Sequence, residues 1–96
     1  MSKYHHIILF RLKDGISGEQ NQHALALLNQ AGQGCQGLER WEVHESVDGR
    51  KGHIIILESL FASEEDFQNF HNSEKHNEAT SFLCEVADWW VGDYVE

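Results

Sequence analysis

Tyr4–Leu12, with the sequence YHHIILFRL, decides the fold of this chain because it is apolar on both of its faces. Successive residues of a β-strand point to opposite faces, so alternate residues from Tyr4 share one face and alternate residues from His5 share the other. Neither face is polar enough to lie against water. The pattern therefore predicts a central strand with a packed layer on each side of its sheet.

The size and charge of the chain limit its organisation and its partners. It has 96 residues, with 16 acidic and 7 basic side chains and a formal net charge of −9. This length is typical of one domain, predicted to span residues 1–96. Binding of a phosphate backbone or an anionic membrane needs clustered cations, and the basic residues form no cluster. We therefore expect neither nucleic acid nor a membrane as a partner.

The two cysteines, Cys35 and Cys84, have neither a C-x-x-C spacing nor the spacing of zinc ligands. We predict that both are free thiols. Free thiols are typical of a reducing compartment, so the cytoplasm is the expected location.

A helix and a half-exposed strand are predicted after the first strand. Ser17 and Gln20 have the spacing of a capping box, which indicates a helix start. A glycine-rich segment then predicts the helix end. Residues 38–46 alternate with period two, placing Leu38 on the opposite face from Trp41. A strand with one polar face is suited to the edge of a sheet.

The second half of the chain begins with a hairpin signal, Asp48-Gly49. Residues 53–61 follow as a second strand that is apolar on both faces, the natural neighbour of the first. Ser63 and Ser73 are then candidate N-caps of two further helices.

The final helix and strand are predicted from the spacing of apolar residues. A helical pattern extends from Glu74 to Trp90. Residues 90–95 read as a last strand, with a possible bulge at Gly92. The order β-α-β-β-α-α-β predicts an α+β, ferredoxin-like fold, an antiparallel sheet with its helices on one face.

Helices on one face leave the other face of the two apolar strands uncovered. We expect this exposed face to carry Ile8, Phe10, Ile55 and Leu57. An apolar patch of this size is unusual on a soluble monomer. A second copy related by a two-fold axis would cover it, so a homodimer formed through the sheet face is predicted.

His6 and His76 are the candidate catalytic pair. His6 shares its strand face with Ile8, and His76 shares its helix face with Leu83, so both are predicted to point inward. An imidazole has a pKa of about 6.5, which suits proton transfer at neutral pH. Two imidazoles facing one cavity could polarise a carbonyl and remove an adjacent proton. The alternative is that each is a structural histidine, satisfied by hydrogen bonds.

The spacing of the seven histidines does not indicate a metal site. His5 and His6 are adjacent on a strand and must point in opposite directions. His71 and His76 are five residues apart, which is not the i, i+4 spacing of paired helical ligands. We therefore expect no bound metal and no cofactor.

Four segments resemble one known family by their order and spacing: HIILFRLKD, HIIILESLFAS, FHNSEKH and the closing DYVE. The family is the stress-responsive dimeric α/β-barrel domain. The resemblance implies a ferredoxin-like fold in which two protomers pair their sheets into a barrel. One branch, similar to plant olivetolic acid cyclase, folds a polyketide chain in the cavity between sheet and helices. More distant relatives are monooxygenases and haem-handling proteins.

The resemblance also implies site residues. Two histidines of the cyclase branch fall on His6 and His76. The position of its tyrosine is Phe70, which has no hydroxyl, and the position of its third-strand histidine is Ile55, with His53 as the nearest substitute. The residues predicted to contact a ligand are His53, Ile55, Phe70 and Leu83.

These observations predict a homodimer that binds a small, mostly apolar molecule, with its specific reaction unassigned. The first alternative is a cofactor-free polyketide cyclase or lyase that uses His6 and His76 as acid and base. The second alternative is a cofactor-free monooxygenase. An open cavity between the two imidazoles would favour an enzyme, and tightly packed side chains around them would favour a protein without turnover.

Overall fold

Seven helices and strands follow one another in the predicted β-α-β-β-α-α-β order. The computed structural model describes residues 2–96. The elements are β1 (Tyr4–Leu12), α1 (Gly18–Ala31), β2 (Leu38–Glu45), β3 (Ile54–Phe61), α2 (Glu64–His71), α3 (Glu74–Val86) and β4 (Ala87–Val95). None of the helices within residues 2–96 is long and apolar enough to cross a membrane.

The four strands form one antiparallel sheet in the order β2-β3-β1-β4. The predictions that β1 is central and that β2 is an edge strand are confirmed. The pairing of β1 on both sides places Ser59 of β3 and Asp93 of β4 directly opposite His6. This register matters for function, because directly opposed residues of neighbouring strands point to the same face of the sheet.

Serine caps begin each helix, as the sequence predicts. The Ser17 hydroxyl accepts a hydrogen bond from the Gln20 N–H at 3.1 Å, and the Gln20 side chain accepts one from the Ser17 N–H at 2.9 Å. Ser63 caps α2, and Ser73 caps α3 through the N–H of His76. Each cap satisfies a backbone donor that the helix itself leaves free. The Ser73 cap separates α2 from α3 and turns the chain between them.

The helices pack on the face of the sheet that carries His6 and Ile8. Ile8, Phe10, Ile55 and Leu57 lie in this core, with 8% exposure or less. The prediction that these four residues form the exposed sheet face is therefore wrong. Both faces of β1 and β3 are apolar, so the alternation of residues fixes which side chains share a face and does not fix which face the helices cover.

The opposite side of the sheet, which we call the outer face, is also apolar. Its apolar members are Ile7 and Leu9 of β1, Ile54, Ile56 and Leu60 of β3, and Trp90 and Tyr94 of β4. Leu9 is 42% exposed, Trp90 is 61% exposed and Tyr94 is 52% exposed. The expectation of an uncovered apolar sheet face thus holds for the described chain, with different residues from those predicted.

The end of α3 differs from the prediction. The helix ends at Val86, and Ala87 already belongs to β4, so Trp90 is a strand residue on the outer face. The apolar residues from 86 to 90 fit both a helical and a strand pattern, and the pairing of β4 with β1 decides between them. The paired residues of β4 include Gly92, which lies opposite Ile7 in an uninterrupted register. The predicted bulge at Gly92 is therefore wrong.

The irregularity of the sheet lies instead in β2. The register between β2 and β3 shifts between Leu38 and Arg40. As a result Leu38 lies opposite Phe61 and packs partly buried against the core, on the same side as Trp41. The prediction that Leu38 and Trp41 occupy opposite faces is wrong because it assumes an unbroken alternation.

Candidate functional site

A cavity of about 320 Å³ lies between the helices and the covered face of the sheet. Its lining is mostly apolar and aromatic. The lining residues are His6, Ile8, Phe10, Leu28, Ala31, Trp41, Leu57, Phe67, Gln68, Phe70, His71, His76, Ala79, Thr80, Leu83, Trp89, Val91 and Asp93. The cavity is open near β4, where Val91 is 55% exposed although it points to the side of the helices.

His6 presents a free nitrogen to this cavity. The residue is only 3% exposed, and its Nδ1 lies 2.7 Å from Oδ1 of Asp93. A carboxylate only accepts hydrogen bonds, so Nδ1 carries the proton and donates it to Asp93. The other ring nitrogen, Nε2, is buried and has no hydrogen-bond partner among the described residues. In the neutral ring Nε2 is therefore an acceptor with an unused lone pair.

Burial keeps the His6 ring neutral. Removal from water lowers the pKa of His6 below its ordinary value, although the hydrogen bond and the charge of Asp93 act in the opposite direction. The nearby His71 lowers this pKa further. Phe67 packs against the ring, with 4.7 Å between the ring centroids. The imidazole is thus held in place and is in its basic form at neutral pH.

Asp93 is itself fixed by a second donor. Its Oδ2 accepts a hydrogen bond of 2.7 Å from the hydroxyl of Tyr4. Tyr4 and His6 are two residues apart on β1 and point to the same face, so both reach the carboxylate on the neighbouring β4. The Tyr4 ring stacks on Phe67 at 4.4 Å. Burial and then the hydrogen bond to Asp93 raise the pKa of Tyr4 to about 12, so the phenol remains a donor.

His76 contributes a second buried and unsatisfied imidazole nitrogen. It lies in the first turn of α3, and its Nδ1 has no hydrogen-bond partner within residues 2–96. Phe70 packs edge-on against the ring at 5.2 Å between centroids, and the ring of His71 lies at 4.6 Å. Burial lowers the pKa of His76, and the neighbouring His71 lowers it further.

The turn between α2 and α3 brings His71 and His76 together despite their separation of five residues. Helical spacing does not apply across this break, so the i, i+4 rule could not predict that the two rings lie side by side. No group of three or more histidine, cysteine or acidic side chains in the described part of the chain is arranged to hold a metal ion.

The structure brings four of the six predicted site residues to the cavity: His6, His76, Phe70 and Leu83. His53 lies elsewhere, because it precedes β3 and is exposed, with its Nε2 3.0 Å from Glu45 Oε2. Ile55 is fully buried in the core and does not line the cavity. Leu57, one inward-facing position further along β3, takes the place that was predicted for Ile55.

Sequence reasoning missed Asp93 and Tyr4 as members of the site. The available signal was an acidic residue at an inward position of β4, where Trp89 and Val91 precede it at intervals of two. Recognising it requires the register that places Asp93 opposite His6. That register follows from the start of β4 at Ala87, which the helical pattern concealed.

Together these groups form an oriented base in an apolar cavity. A neutral imidazole whose Nδ1–H is held by a carboxylate has a fixed tautomer, and the imidazolium that forms on proton uptake is stabilised by the adjacent negative charge. The arrangement can therefore accept a proton from a bound molecule at Nε2.

The fold is shared with proteins of several kinds. A dimeric ferredoxin-like protein of unknown function from Thermobifida fusca YX is 14% identical, with a TM-score of 0.88 over 99% of this chain and 92% of that chain. The hydroxynitrile lyase of Passiflora edulis is 22% identical, with a TM-score of 0.83 over 98% and 93% of the two chains.

A third similar structure is SnoaB, a cofactor-independent oxygenase from Streptomyces nogalater, which is 10% identical with a TM-score of 0.79 over 98% of this chain and 92% of its own. No curated protein sequence matches the chain significantly. Likeness at these identities establishes the fold alone.

Family membership follows from the sequence itself. The profile of the stress responsive A/B barrel domain, Dabb, matches residues 4–96, from the start of β1 to the end of the chain. The resemblance found in four short segments is thereby confirmed over nearly the whole sequence. The chain belongs to the stress-responsive A/B barrel domain family.

Proposed function

We propose that this protein is a cofactor-free proton-transfer enzyme, a lyase or cyclase, that binds a small and mostly apolar molecule between its sheet and its helices. The observation that carries the proposal is the Nε2 atom of His6. It is buried, lacks a partner among the described residues and belongs to a ring that lines the cavity. An unsatisfied buried polar atom costs about 1–3 kcal/mol, so its retention favours a role toward a bound molecule.

His6 is the base in this proposal. Its Nε2 removes a proton from a carbon next to a carbonyl group, the C–H electron pair moves onto the carbonyl as an enolate, and the ring becomes an imidazolium. Asp93 and Tyr4 position the imidazole, since their hydrogen bonds hold Nδ1 as the donor. The carboxylate also stabilises the charge that the ring gains.

His76 has the complementary role. Its buried Nδ1 can donate a hydrogen bond to the substrate oxygen when it carries the ring proton. A donor at this position polarises the carbonyl and stabilises the enolate. The two histidines thus act on neighbouring atoms of one molecule, which is the chemistry of carbon–carbon bond formation or cleavage. The fold shared with a hydroxynitrile lyase is compatible with this reaction class.

Two neutral probes test the proposal. Exchange of the methyl hydrogens of acetophenone for deuterium, followed by NMR, reports proton abstraction from carbon. Cleavage of mandelonitrile reports the lyase reaction: His6 Nε2 takes the hydroxyl proton, the oxygen forms the carbonyl of benzaldehyde, and cyanide leaves with the electron pair of the broken C–C bond. We expect the wild type to accelerate at least one of these reactions, and His6→Gln to lose about 10²–10⁴-fold of the acceleration.

His53→Gln is the matched control, because His53 is an exposed histidine outside the cavity. It is expected to retain the wild-type rate. A wild type that is no faster than buffer with both probes would contradict catalysis of this class. So would a His6→Gln variant with unchanged activity.

We also propose that two copies pack their outer faces against each other. Two ferredoxin-like proteins of similar structure are dimeric, which supports self-association. Leu9 and Trp90 lie opposite each other on this face and are 42% and 61% exposed. A contiguous apolar surface of this kind is stabilised by burial against a second apolar surface.

Leu9→Glu tests the dimer without touching the core, since Leu9 points away from the helices. Val47→Glu is the control, because Val47 is a fully exposed apolar residue in the loop between β2 and β3. By light scattering at micromolar concentration we expect dimers for the wild type and Val47→Glu and monomers for Leu9→Glu. A monomeric wild type would refute the interface.

A further inference from the structure

The charge of the cavity lining is unusual for a site that would bind an acidic metabolite. None of its 18 lining residues in the described chain is a lysine or an arginine. Its ionisable members are the acid Asp93 and three histidines. Burial favours the neutral forms of His6 and His76. The fixed charge in the lining is therefore negative.

The basic side chains that adjoin His76 and Tyr4 in the sequence are engaged outside the cavity. Lys75, on α3 beside His76, donates a hydrogen bond of 2.9 Å to the backbone carbonyl of Gln33. Lys3, beside Tyr4, forms an ion pair of 2.5 Å with Glu39. An anionic ligand in the cavity would thus have to give up its water without gaining a cationic partner.

The position of Asp93 further disfavours the binding of anions. Its side chain is 20% exposed and lies on β4, along the open side of the cavity. A carboxylate that enters there meets a like charge in surroundings of low dielectric constant, where repulsion is stronger than in water. A charged group without a partner is also the most costly kind to bury.

The cavity has a polar end and an apolar end. The rings of His6 and His76 both contact Phe70, at 6.4 and 5.2 Å between centroids, and Val86 at the end of α3 accepts a hydrogen bond of 2.8 Å from the Lys13 N–H, just after β1. α3 thus runs along β1 in the same direction. His6 and His76 therefore lie near the starts of these two elements, and Phe10 and Leu83 lie near their ends. A ligand that fits has its polar group at one end of an apolar body.

The volume limits the size of that body. The cavity volume is about 320 Å³. This is the lower end of the range for small-molecule sites. A molecule with one aromatic ring and a short side chain is small enough to enter it.

We propose that the cavity selects uncharged, single-ring carbonyl compounds and molecules of similar size and rejects carboxylates and phosphates. The carbonyl oxygen lies toward His76, the carbon next to the carbonyl lies toward His6, and the ring lies toward Phe10. This inference deepens the proposed function, on which its catalytic meaning rests. Binding itself can be measured without turnover.

The test compares acetophenone with benzoate, which have similar size and differ in charge. Binding is measured by calorimetry and by fluorescence, because the indoles of Trp41 and Trp89 line the cavity. We expect benzoate to bind the wild type at least about 100-fold more weakly than acetophenone. Gln68→Lys places a cation on the exposed α2 side of the cavity and is expected to reduce this difference at least about tenfold.

Gln22→Lys adds the same charge to the exposed surface of α1, away from the cavity lining, and is expected to leave the difference unchanged. Benzoate binding as tightly as acetophenone to the wild type would overturn the proposal, and so would a wild type that binds neither probe. A wild type that prefers acetophenone to benzoate but accelerates neither the exchange of methyl hydrogens nor the cleavage of mandelonitrile would sustain the selectivity and contradict the proposed reaction.

Discussion

Replacing His6 by leucine separates a functional histidine from a structural one. His6 has one nitrogen bonded to Asp93 and one buried nitrogen without a partner among the described residues. If the free nitrogen binds a ligand, it lacks a hydrogen-bond partner in the ligand-free protein and destabilises the folded state there. His6→Leu removes that destabilisation along with the bond to Asp93, and leucine suits the apolar neighbours Ile8 and Phe67.

The magnitudes of the two effects nearly cancel. Removing an unsatisfied buried polar atom raises the free energy of unfolding by about 1–3 kcal/mol, and losing a hydrogen bond to a charged group lowers it by about 1.5–3 kcal/mol. Asp93 keeps its bond from Tyr4, and its side chain is 20% exposed, so water can replace the lost donor. We therefore expect the free energy of unfolding of His6→Leu to lie within about 1 kcal/mol of the wild-type value.

Urea and thermal unfolding at pH 7.5, at equal protomer concentration, measure this difference. For a domain of this size 1 kcal/mol corresponds to a shift of about 4–8 °C in Tm. Leu57→Ala, at a 2% exposed position on the adjacent strand, is the control for core damage and is expected to cost about 2–5 kcal/mol. A loss of more than about 3 kcal/mol in His6→Leu would mean that both nitrogens of His6 are satisfied in solution, and the proposed free nitrogen would be ruled out.

Three further predictions concern titration and packing. Burial holds the pKa values of His6 and His76 below about 6.5. As the pH falls, the unfolded chain therefore binds protons before the folded chain does, and the free energy of unfolding measured in urea should decrease below about pH 6.5. The pKa of Tyr4 is raised to about 12, so the neutral phenol stabilises the folded state fully below pH 10, and this contribution is lost as the pH rises toward 12. The difference in phenolate absorbance between wild type and Tyr4→Phe should show this late titration. Gly32→Ala should cost about 1–3 kcal/mol in urea unfolding, because its new methyl group would overlap the indole of Trp41.

The sequence was sufficient for the order of elements but not for the choice between two apolar faces. Period-two alternation correctly groups Ile8 with Phe10 and Ile7 with Leu9. The helices then cover the first group, and no local property of the strand determines this choice. Packing between distant parts of the chain decides it, which is why the predicted outer face carried the wrong residues.

The residues of the candidate site also divide into those that the sequence could predict and those that required the fold. His6 and His76 could be found because each shares a face with apolar residues of its own element, and both line the cavity. Asp93 could not be placed without the β1–β4 register, and His71 could not be paired with His76 without the turn at Ser73. Contacts within an element follow from its period, whereas contacts between elements require the fold.

The protonation state of His6 can be measured directly, and the proposed catalysis depends on a free and neutral Nε2. Nitrogen NMR of the ¹⁵N-labelled protein at pH 7.5 distinguishes the two ring nitrogens. We predict a neutral ring with the proton on Nδ1, toward Asp93, and a perturbation of the Nε2 signal when acetophenone is added. A ring with the proton on Nε2, or a charged ring at this pH, would contradict the role of His6 as the base.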